Sequence, residues 1–155
     1  MIKDKIKGLV GTYKFEIKDV KGKVRDTFEV KNLVTTVGFA QIALLAGSAG
    51  AVPFTFIAVG TSSTAVNISD TALTAEITTN GLERSAGTVS RVDGTGTNDT
   101  YQITHTWTAS GSVTVEEVGV FNDASAGTML SHALTGTKAV TSGETLTGTY
   151  QLEVA

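Results

Sequence analysis

The amino-acid sequence predicts a mainly β protein, a jelly-roll-like β-sandwich with an N-terminal β-hairpin and one or two short helices. Three observations lead to this prediction. The chain has 155 residues, which suits a single domain. Thr, Val and Gly are abundant and only 17% of residues are charged, whereas an average domain has about 25%. Short strand-like segments are separated by turn-rich stretches along the whole chain, which is typical of sandwiches.

The first element is a hairpin over residues 11–32, in which apolar side chains alternate with polar ones on both sides of a turn at Gly22. The apolar positions are Tyr13, Phe15, Ile17, Phe28 and Val30. The basic positions are Lys14, Lys18, Lys21, Lys23 and Arg25. One interpretation is an edge hairpin that lysines protect from aggregation. The other is a basic docking arm of residues 1–31, followed by a β-sandwich domain of residues 32–155, and both sets are then candidate interface residues.

The second element is a helix over residues 33–46, which Thr35 or Thr36 can cap and which the sequence Gly47-Ser48-Ala49-Gly50 ends. Its apolar residues are spread around nearly every side. Such a helix is either fully buried or covered by another subunit. Phe39 and Leu44 are therefore candidate interface residues.

The remaining elements are strands and one short helical turn. Residues 53–60 are apolar on both faces, which predicts a central strand. Asp70 precedes a helical turn predicted for residues 72–77. Further strands are predicted at about residues 82–92, 101–109, 112–121, 128–134 and 144–154.

The charge distribution limits the possible partners. The net charge of −3 is unevenly distributed. Residues 1–31 have nine basic and five acidic side chains, a net charge of +4, and residues 32–155 have three basic and ten acidic side chains, a net charge of −7. The acidic body argues against nucleic acid as a partner. No apolar run reaches 18 residues and no secretory signal is apparent, so neither a membrane nor export is expected.

The titratable residues give no catalytic or metal-binding pattern, so we expect no enzyme activity, cofactor or metal. Glu116 and Glu117 are adjacent on a strand and point to opposite faces; we expect one to point inward and hold a neighbouring turn through backbone amides. His105 and His132 have no nucleophile pattern around them and are expected to be structural. The loop from Asp93 to Asp99 resembles half of a calcium loop, but ordinary turn chemistry explains it equally.

Two further pairs of residues have open assignments. Arg84 and Arg91 are the only arginines of the acidic body. They are either exposed or engaged in buried or interfacial pairs, with Glu76, Glu83 and Glu116 as possible partners. Tyr101 and Trp107 lie on one face of a predicted strand, which forms either a glycan-stacking surface or part of the core.

Three stretches together resemble small virion proteins of tailed bacteriophages, of the tail-fibre, head-fibre or decoration type. The stretches begin with Asn32–Gly38 before the apolar helix, Ile57–Thr64 before Asp70–Leu73, and Val115–Asn122 before Gly127–Leu130. The resemblance covers about residues 30–154. The chain departs from it at residues 117–121, Glu-Val-Gly-Val-Phe, where the family usually has Glu-Ala-Gly-Leu-Phe.

The resemblance implies a non-enzymatic structural protein that is synthesised in the bacterial cytoplasm and located in the virion. It implies a homo-oligomer, a trimer or a larger ring, that contacts other virion proteins and has no catalytic residues. We expect self-assembly together with docking on the capsid or tail through the N-terminal segment. The alternative is a lectin-like, glycan-binding module of a phage fibre.

Overall fold

The protein is a β-sandwich of two five-stranded antiparallel sheets, as predicted. The structure is a computed structural model that describes residues 9–154; residues 1–8 of the predicted arm and Ala155 lie outside the described residues. In chain order the elements are β1 (Val10–Lys18), β2 (Val24–Lys31), β3 (Leu33–Val34), α1 (Thr36–Gly47), β4 (Phe56–Gly60), β5 (Ser85–Ala86), β6 (Thr88–Val92), β7 (Thr100–Thr108), β8 (Val113–Phe121), β9 (Met129–Val140) and β10 (Thr145–Glu153). The first sheet has the strand order β2-β1-β10-β7-β6, and the second has β3-β9-β8-β4-β5.

The core lies between the two sheets. Strand alternation sends every second side chain of each inner face into it. From the first sheet come Tyr13, Ile17, Ile103, Leu146 and Tyr150, and from the second Ile57, Val59, Val118, Val120 and Leu130. The Tyr13 hydroxyl is 2.6 Å from the Ser131 hydroxyl, so the buried phenol joins the two sheets through a hydrogen bond.

The N-terminal hairpin belongs to the sandwich and is not a separate arm in the described residues. β1 pairs with β10 along its whole length, from Val10 opposite Glu153 to Lys18 opposite Thr145, and β2 is the edge strand. Tyr13, Phe15 and Ile17 are buried in the core. The edge-hairpin interpretation is therefore right for residues 9–31. The domain boundary at residue 31 is wrong there, and these three side chains are unavailable to a partner.

Helix α1 overlaps the predicted range of residues 33–46 but begins at Thr36, because Leu33 and Val34 pair with β9 as β3. The Thr35 hydroxyl accepts a hydrogen bond from the Gly38 amide (3.0 Å), which caps the helix, and donates one to the Met129 carbonyl (2.6 Å). Gly38 lies against the backbone of Leu130, where a Cβ has no room. One capping residue and one glycine thus fix α1 on β9.

Two predicted elements differ from the structure. Residues 72–77 form a loop and not a helical turn. The amides of Thr74 and Ala75 bond to the Glu117 carboxylate, a tertiary contact that replaces helical bonds. The strand predicted at residues 82–92 is divided at Gly87, because the chain leaves the second sheet after β5 and joins the first sheet at β6.

Candidate functional site

The candidate functional site is an uncharged surface formed by α1. The chain has no charged residue between Lys31 and Asp70, and α1 lies within this segment. Gly38 is the only buried residue of the helix, whereas Phe39 is 45% and Leu44 50% exposed. A surface helix usually carries polar or charged residues on its outer side. The prediction of a fully buried helix is therefore wrong, and the alternative, a helix covered by another subunit, stays a prediction.

The outer face of α1 has a simple chemical character. At 100° per residue, the exposed residues Ala40, Ala43 and Gly47 lie between Phe39 and Leu44, as does the exposed Thr36 of the first turn. Phe39, Ala40, Ala43, Leu44 and Gly47 have no side-chain group that can form a hydrogen bond or an ion pair, so the Thr36 hydroxyl is the one polar side-chain group between Phe39 and Leu44. We call these five residues the helix outer face. It offers two large apolar side chains on either side of a shallow strip, which suits contact by shape and burial rather than by charge.

Next to the helix lies an apolar groove of about 280 Å³ between α1 and the end of the first sheet. Its lining residues are Ile42, Leu45, Pro53, Phe54, Val89, Tyr101, Leu130, Leu152 and Val154. The Tyr101 hydroxyl donates to the Phe54 carbonyl (2.6 Å), so the one polar side-chain atom among them is already satisfied. Burial raises the pKa of Tyr101, which stays a neutral donor.

An acidic loop lies close to the Val154 end of the groove, since the Val154 amide donates to the Asp99 carbonyl (3.2 Å). The Asp99 carboxylate accepts hydrogen bonds from the amides of Gly96 (2.6 Å) and Gly94 (2.7 Å), which lower its pKa. The Asp93 carboxylate accepts a hydrogen bond from the backbone amide of Asn98 (2.8 Å). These bonds are the turn chemistry that the sequence offered as the alternative to a calcium loop.

A carboxylate–imidazole triad joins the second sheet, through the buried His132 and Glu117, to the partly exposed Asp70 of the loop after β4. His132 is 1% exposed; its Nδ1 is 2.7 Å from Asp70 Oδ2 and its Nε2 is 2.9 Å from Glu117 Oε2. The carboxylate of the fully buried Glu117 also accepts hydrogen bonds from the backbone amides of Ala75 (2.7 Å) and Thr74 (3.0 Å). The prediction that one of two adjacent glutamates holds a turn is thus confirmed, and Glu117 is that residue.

Hydrogen bonds set the charge states of the triad. Burial alone lowers the pKa of His132, but hydrogen bonds to Glu117 and Asp70 raise it above the ordinary value of 6.5. Burial alone raises the pKa of Glu117, but the bonds from His132 and the two amides hold it below 4.5. Both shifts favour an ion pair between His132 and Glu117. The bonds of these two residues to Asp70, Thr74 and Ala75 fasten the loop that contains all three.

The predicted cationic residues have separate positions. Arg84 forms a two-point pair with Glu76 (2.8 and 2.6 Å) over the ring of Phe121, which confirms a buried pair. Arg91 is exposed on β6. Arg25 also forms a two-point pair, with Glu144 (2.6 and 2.9 Å).

The lysines of the hairpin are less constrained. Lys14, Lys21 and Lys23 are exposed. Lys18 lies 3.1 Å from Glu16, at a partly exposed position. The structure therefore gathers none of the predicted basic residues into one cluster. Arg25 joins the hairpin to the turn before β10, so its charge is used within the chain.

The proposed glycan-stacking residues belong to the core side of β7. Trp107 is 2% exposed and its indole Nε1 donates to the Glu83 carbonyl (2.8 Å). The His105 ring packs edge-on against it. Tyr101 is half-buried in the groove wall. The core interpretation of this face is right, and the stacking surface formed by Tyr101 and Trp107 is wrong.

The groove is the feature that sequence reasoning missed. Its walls come from α1 and the loop after it, from single residues of β6, β7, β9 and β10, and from Val154, and these parts are far apart in the chain. The signal in the sequence is weak: Leu152 and Val154 continue an apolar alternation to the end of the last strand.

Several other site types are not found in residues 9–154. This part of the chain has no group of three or more His, Asp or Glu side chains arranged to hold a metal ion. Its helix is too short to cross a membrane. Comparisons of the chain with protein-family models, with curated proteins and with solved structures give no match.

Proposed function

We propose that this chain is a non-enzymatic structural subunit of a bacteriophage virion, which self-assembles through the helix outer face and docks on the capsid or tail through its N-terminal segment. The observation that carries the proposal is the exposed, uncharged side of α1, with Phe39 and Leu44 half-exposed. Exposed apolar patches of this kind mark interaction surfaces in soluble proteins. A second copy of the same helix supplies a matching apolar face in a symmetric oligomer.

The outer face of the first sheet supports the same proposal. Threonines on β7 and β10 face each other there and pair through their hydroxyls, Thr104 with Thr149 (3.1 Å) and Thr106 with Thr147 (2.8 Å). This part of the sheet is polar but uncharged. Copies that pack side by side meet no charge repulsion on such a surface.

The motifs that resemble phage virion proteins meet around α1 and the triad. The Asn32–Gly38 stretch contains the Thr35 cap and Gly38, which fix α1 on β9. Asp70 and Glu117 come from the two other stretches and both contact His132. Residues of the three stretches thus maintain the position of α1 and of the loop after β4.

The test is the native mass, measured by light scattering on a size-exclusion column. We expect a trimer or a larger ring for the wild-type chain and a monomer for the double variant Phe39→Glu/Leu44→Glu. The matched control is Val20→Glu. Val20 is 71% exposed in the hairpin turn after β1 and is not part of the helix outer face. We expect the control to keep the wild-type mass. A wild-type monomer, or a double variant with unchanged mass, would contradict the proposed assembly.

A further inference from the structure

We infer that the apolar groove beside α1 receives the Phe39 side chain of a neighbouring copy, so that the copies join head to tail. The inference rests on the proposed self-assembly and names the site where two copies hold each other. Its basis is the size and polarity of the groove, the choice of exposed side chains that the chain offers, and the positions of Phe39 and the groove around α1.

The groove is an open apolar site that suits an apolar occupant. Its volume of about 280 Å³ exceeds that of a cavity of about 150 Å³ that holds benzene. The lining residues Val89 and Val154 are 45% and 64% exposed, whereas Leu130 is 1% exposed, so the groove reaches from the surface to the core. The Tyr101 hydroxyl already donates to the Phe54 carbonyl. A charged occupant would therefore lose its hydration without gaining a partner.

Phe39 is the exposed side chain that fits this groove best. It is the one aromatic residue among the large apolar side chains that are exposed in residues 9–154. Its phenyl ring has the size of benzene, and aromatic side chains in apolar pockets are typical anchors of protein interfaces. Val20 and Val24 are also exposed, but the exposed Lys21 and Lys23 lie between them. Their entry would bring lysines to an apolar surface.

Charge is compatible with a second copy at this place. Phe39 belongs to the segment between Lys31 and Asp70, which has no charged residue and which also provides part of the groove. Arg91 lies on the same face of β6 as the groove residue Val89 and is exposed. A guanidinium packs favourably over a phenyl ring, so Arg91 can cover the incoming ring. The contact therefore brings no two like charges together.

Phe39 and the groove lie on neighbouring sides of α1. At 100° per residue, Phe39 is about 60° around the helix from Ile42 and about 120° from Leu45, and both of these residues line the groove. A copy that inserts its Phe39 into one neighbour therefore keeps its own groove open for another. Such a head-to-tail contact closes into a ring.

The same angles suit the proposed ring. In a ring with its axis along α1, the directions from one copy to its two neighbours differ by about 60° in a trimer and by about 120° in a hexamer. The step from Phe39 to the groove residues covers this range. A trimer or a larger ring is therefore the assembly that this contact produces.

The experiment divides the two sides of the contact between two single variants. Phe39→Ala removes the ring and keeps the groove, whereas Val89→Glu puts a charge into the groove and keeps the ring. We expect each variant alone to be monomeric in light scattering. An equimolar mixture should form a 1:1 dimer and no larger species, because one intact ring meets one intact groove. This dimer should bind at least tenfold more tightly than either variant binds itself.

The controls test the fold and the position of the ring. Val20→Glu, a charge at an exposed valine outside the groove, should keep the wild-type mass. The double variant Phe39→Ala/Val89→Glu should form no dimer with Val89→Glu. When the methyl groups of Phe39→Ala are labelled, unlabelled Val89→Glu should shift the NMR signals of Leu45 and Leu152, because the phenyl ring enters beside them. Val154→Glu replaces Val89→Glu if circular dichroism shows that the latter does not fold.

The outcomes separate this inference from the proposed assembly. A mixture that stays monomeric, or groove methyls that do not shift, would overturn the inference, and species larger than a dimer would overturn the head-to-tail order. If Val89→Glu alone keeps the wild-type mass while Phe39→Glu/Leu44→Glu is monomeric, the inference fails and the proposed assembly stands. If the wild-type chain is monomeric and the mixture forms no dimer, both fail.

Discussion

Replacement of Glu117 by glutamine tests whether the buried triad fastens the loop from residue 61 to residue 77. Glu117 accepts three hydrogen bonds, from the amides of Thr74 and Ala75 and from His132 Nε2. A glutamine has one acceptor oxygen and one donor NH₂ group. Whichever way the amide turns, at least one of these bonds becomes a contact between two donors. The variant also leaves His132 with Asp70 as its remaining acidic partner.

The expected loss of stability follows from these contacts. A hydrogen bond to a charged group contributes about 1.5–3 kcal/mol, and removal of one partner from a buried ion pair costs about 3–5 kcal/mol. Since Asp70 still faces His132 at 2.7 Å, we expect a loss of about 3 kcal/mol, at the lower end of that range. For a domain of this size that is about 6–12 °C in the melting temperature.

The assay is urea unfolding together with amide hydrogen exchange at Thr74 and Ala75. The matched control is Glu116→Gln, the adjacent residue on the same strand, whose carboxylate contacts the exposed Thr137 hydroxyl. We expect the control to change stability by about 0.5 kcal/mol or less. We also expect faster exchange of the two loop amides in Glu117→Gln alone. Equal stability losses in the two variants, or unchanged exchange at Thr74 and Ala75, would refute this account of the loop.

Three further predictions concern other contacts of the fold. Gly38→Ala should destabilise the protein and loosen α1, because a Cβ there meets the Leu130 backbone, whereas Gly47→Ala on the same helix has open space and should be neutral or slightly stabilising in thermal unfolding. The stability due to the triad should depend on pH. The raised pKa of His132 gives a contribution that is complete below its ordinary value of 6.5 and is lost as the pH rises through the folded-state pKa. The lowered pKa of Glu117 gives one that is present above 4.5 and is lost as the pH falls. Unfolding curves of the wild type and of Glu117→Gln should therefore differ most between pH 4.5 and 6.5, and a difference that does not vary with pH would contradict the assigned charges. Arg84→Lys should lower the free energy of unfolding by about 1–3 kcal/mol and increase amide hydrogen exchange in the turn of residues 123–127. The reason is that a lysine cannot keep both bonds to Glu76 together with those to the Asp123 and Ala126 carbonyls. Unchanged exchange in this turn would show that Arg84 does not hold it.

The hairpin shows where a local pattern has two tertiary outcomes. The alternation around Tyr13 and Phe15 predicts a half-buried strand, and that prediction is confirmed. The same alternation is compatible both with an arm that docks on a partner and with an edge hairpin of the sandwich. Only the pairing of β1 with β10 over nine residue pairs distinguishes them, because it depends on residues more than 120 positions apart.

The two adjacent glutamates show the opposite case, in which the local geometry is decisive. Neighbouring residues on a strand point to opposite faces, so one carboxylate had to be inside and needed donors there. That reasoning anticipates the turn amides that Glu117 accepts. It does not anticipate His132 or Asp70, since neither the distance between β8 and β9 nor the path of the loop follows from spacing in the sequence.

The sequence by itself determined the fold class, the strand periodicities, the capped helix and the absence of charge from Lys31 to Asp70, because these depend on neighbouring residues or on composition. The tertiary structure decided which apolar surfaces are used up in the core and which stay exposed. It placed Trp107 in the core and Phe39 on the surface, although both are large aromatic residues in apolar patterns. The physical reason is that burial results from the packing of distant elements. The apolar groove likewise exists only where α1 and the loop after it meet residues of both sheets.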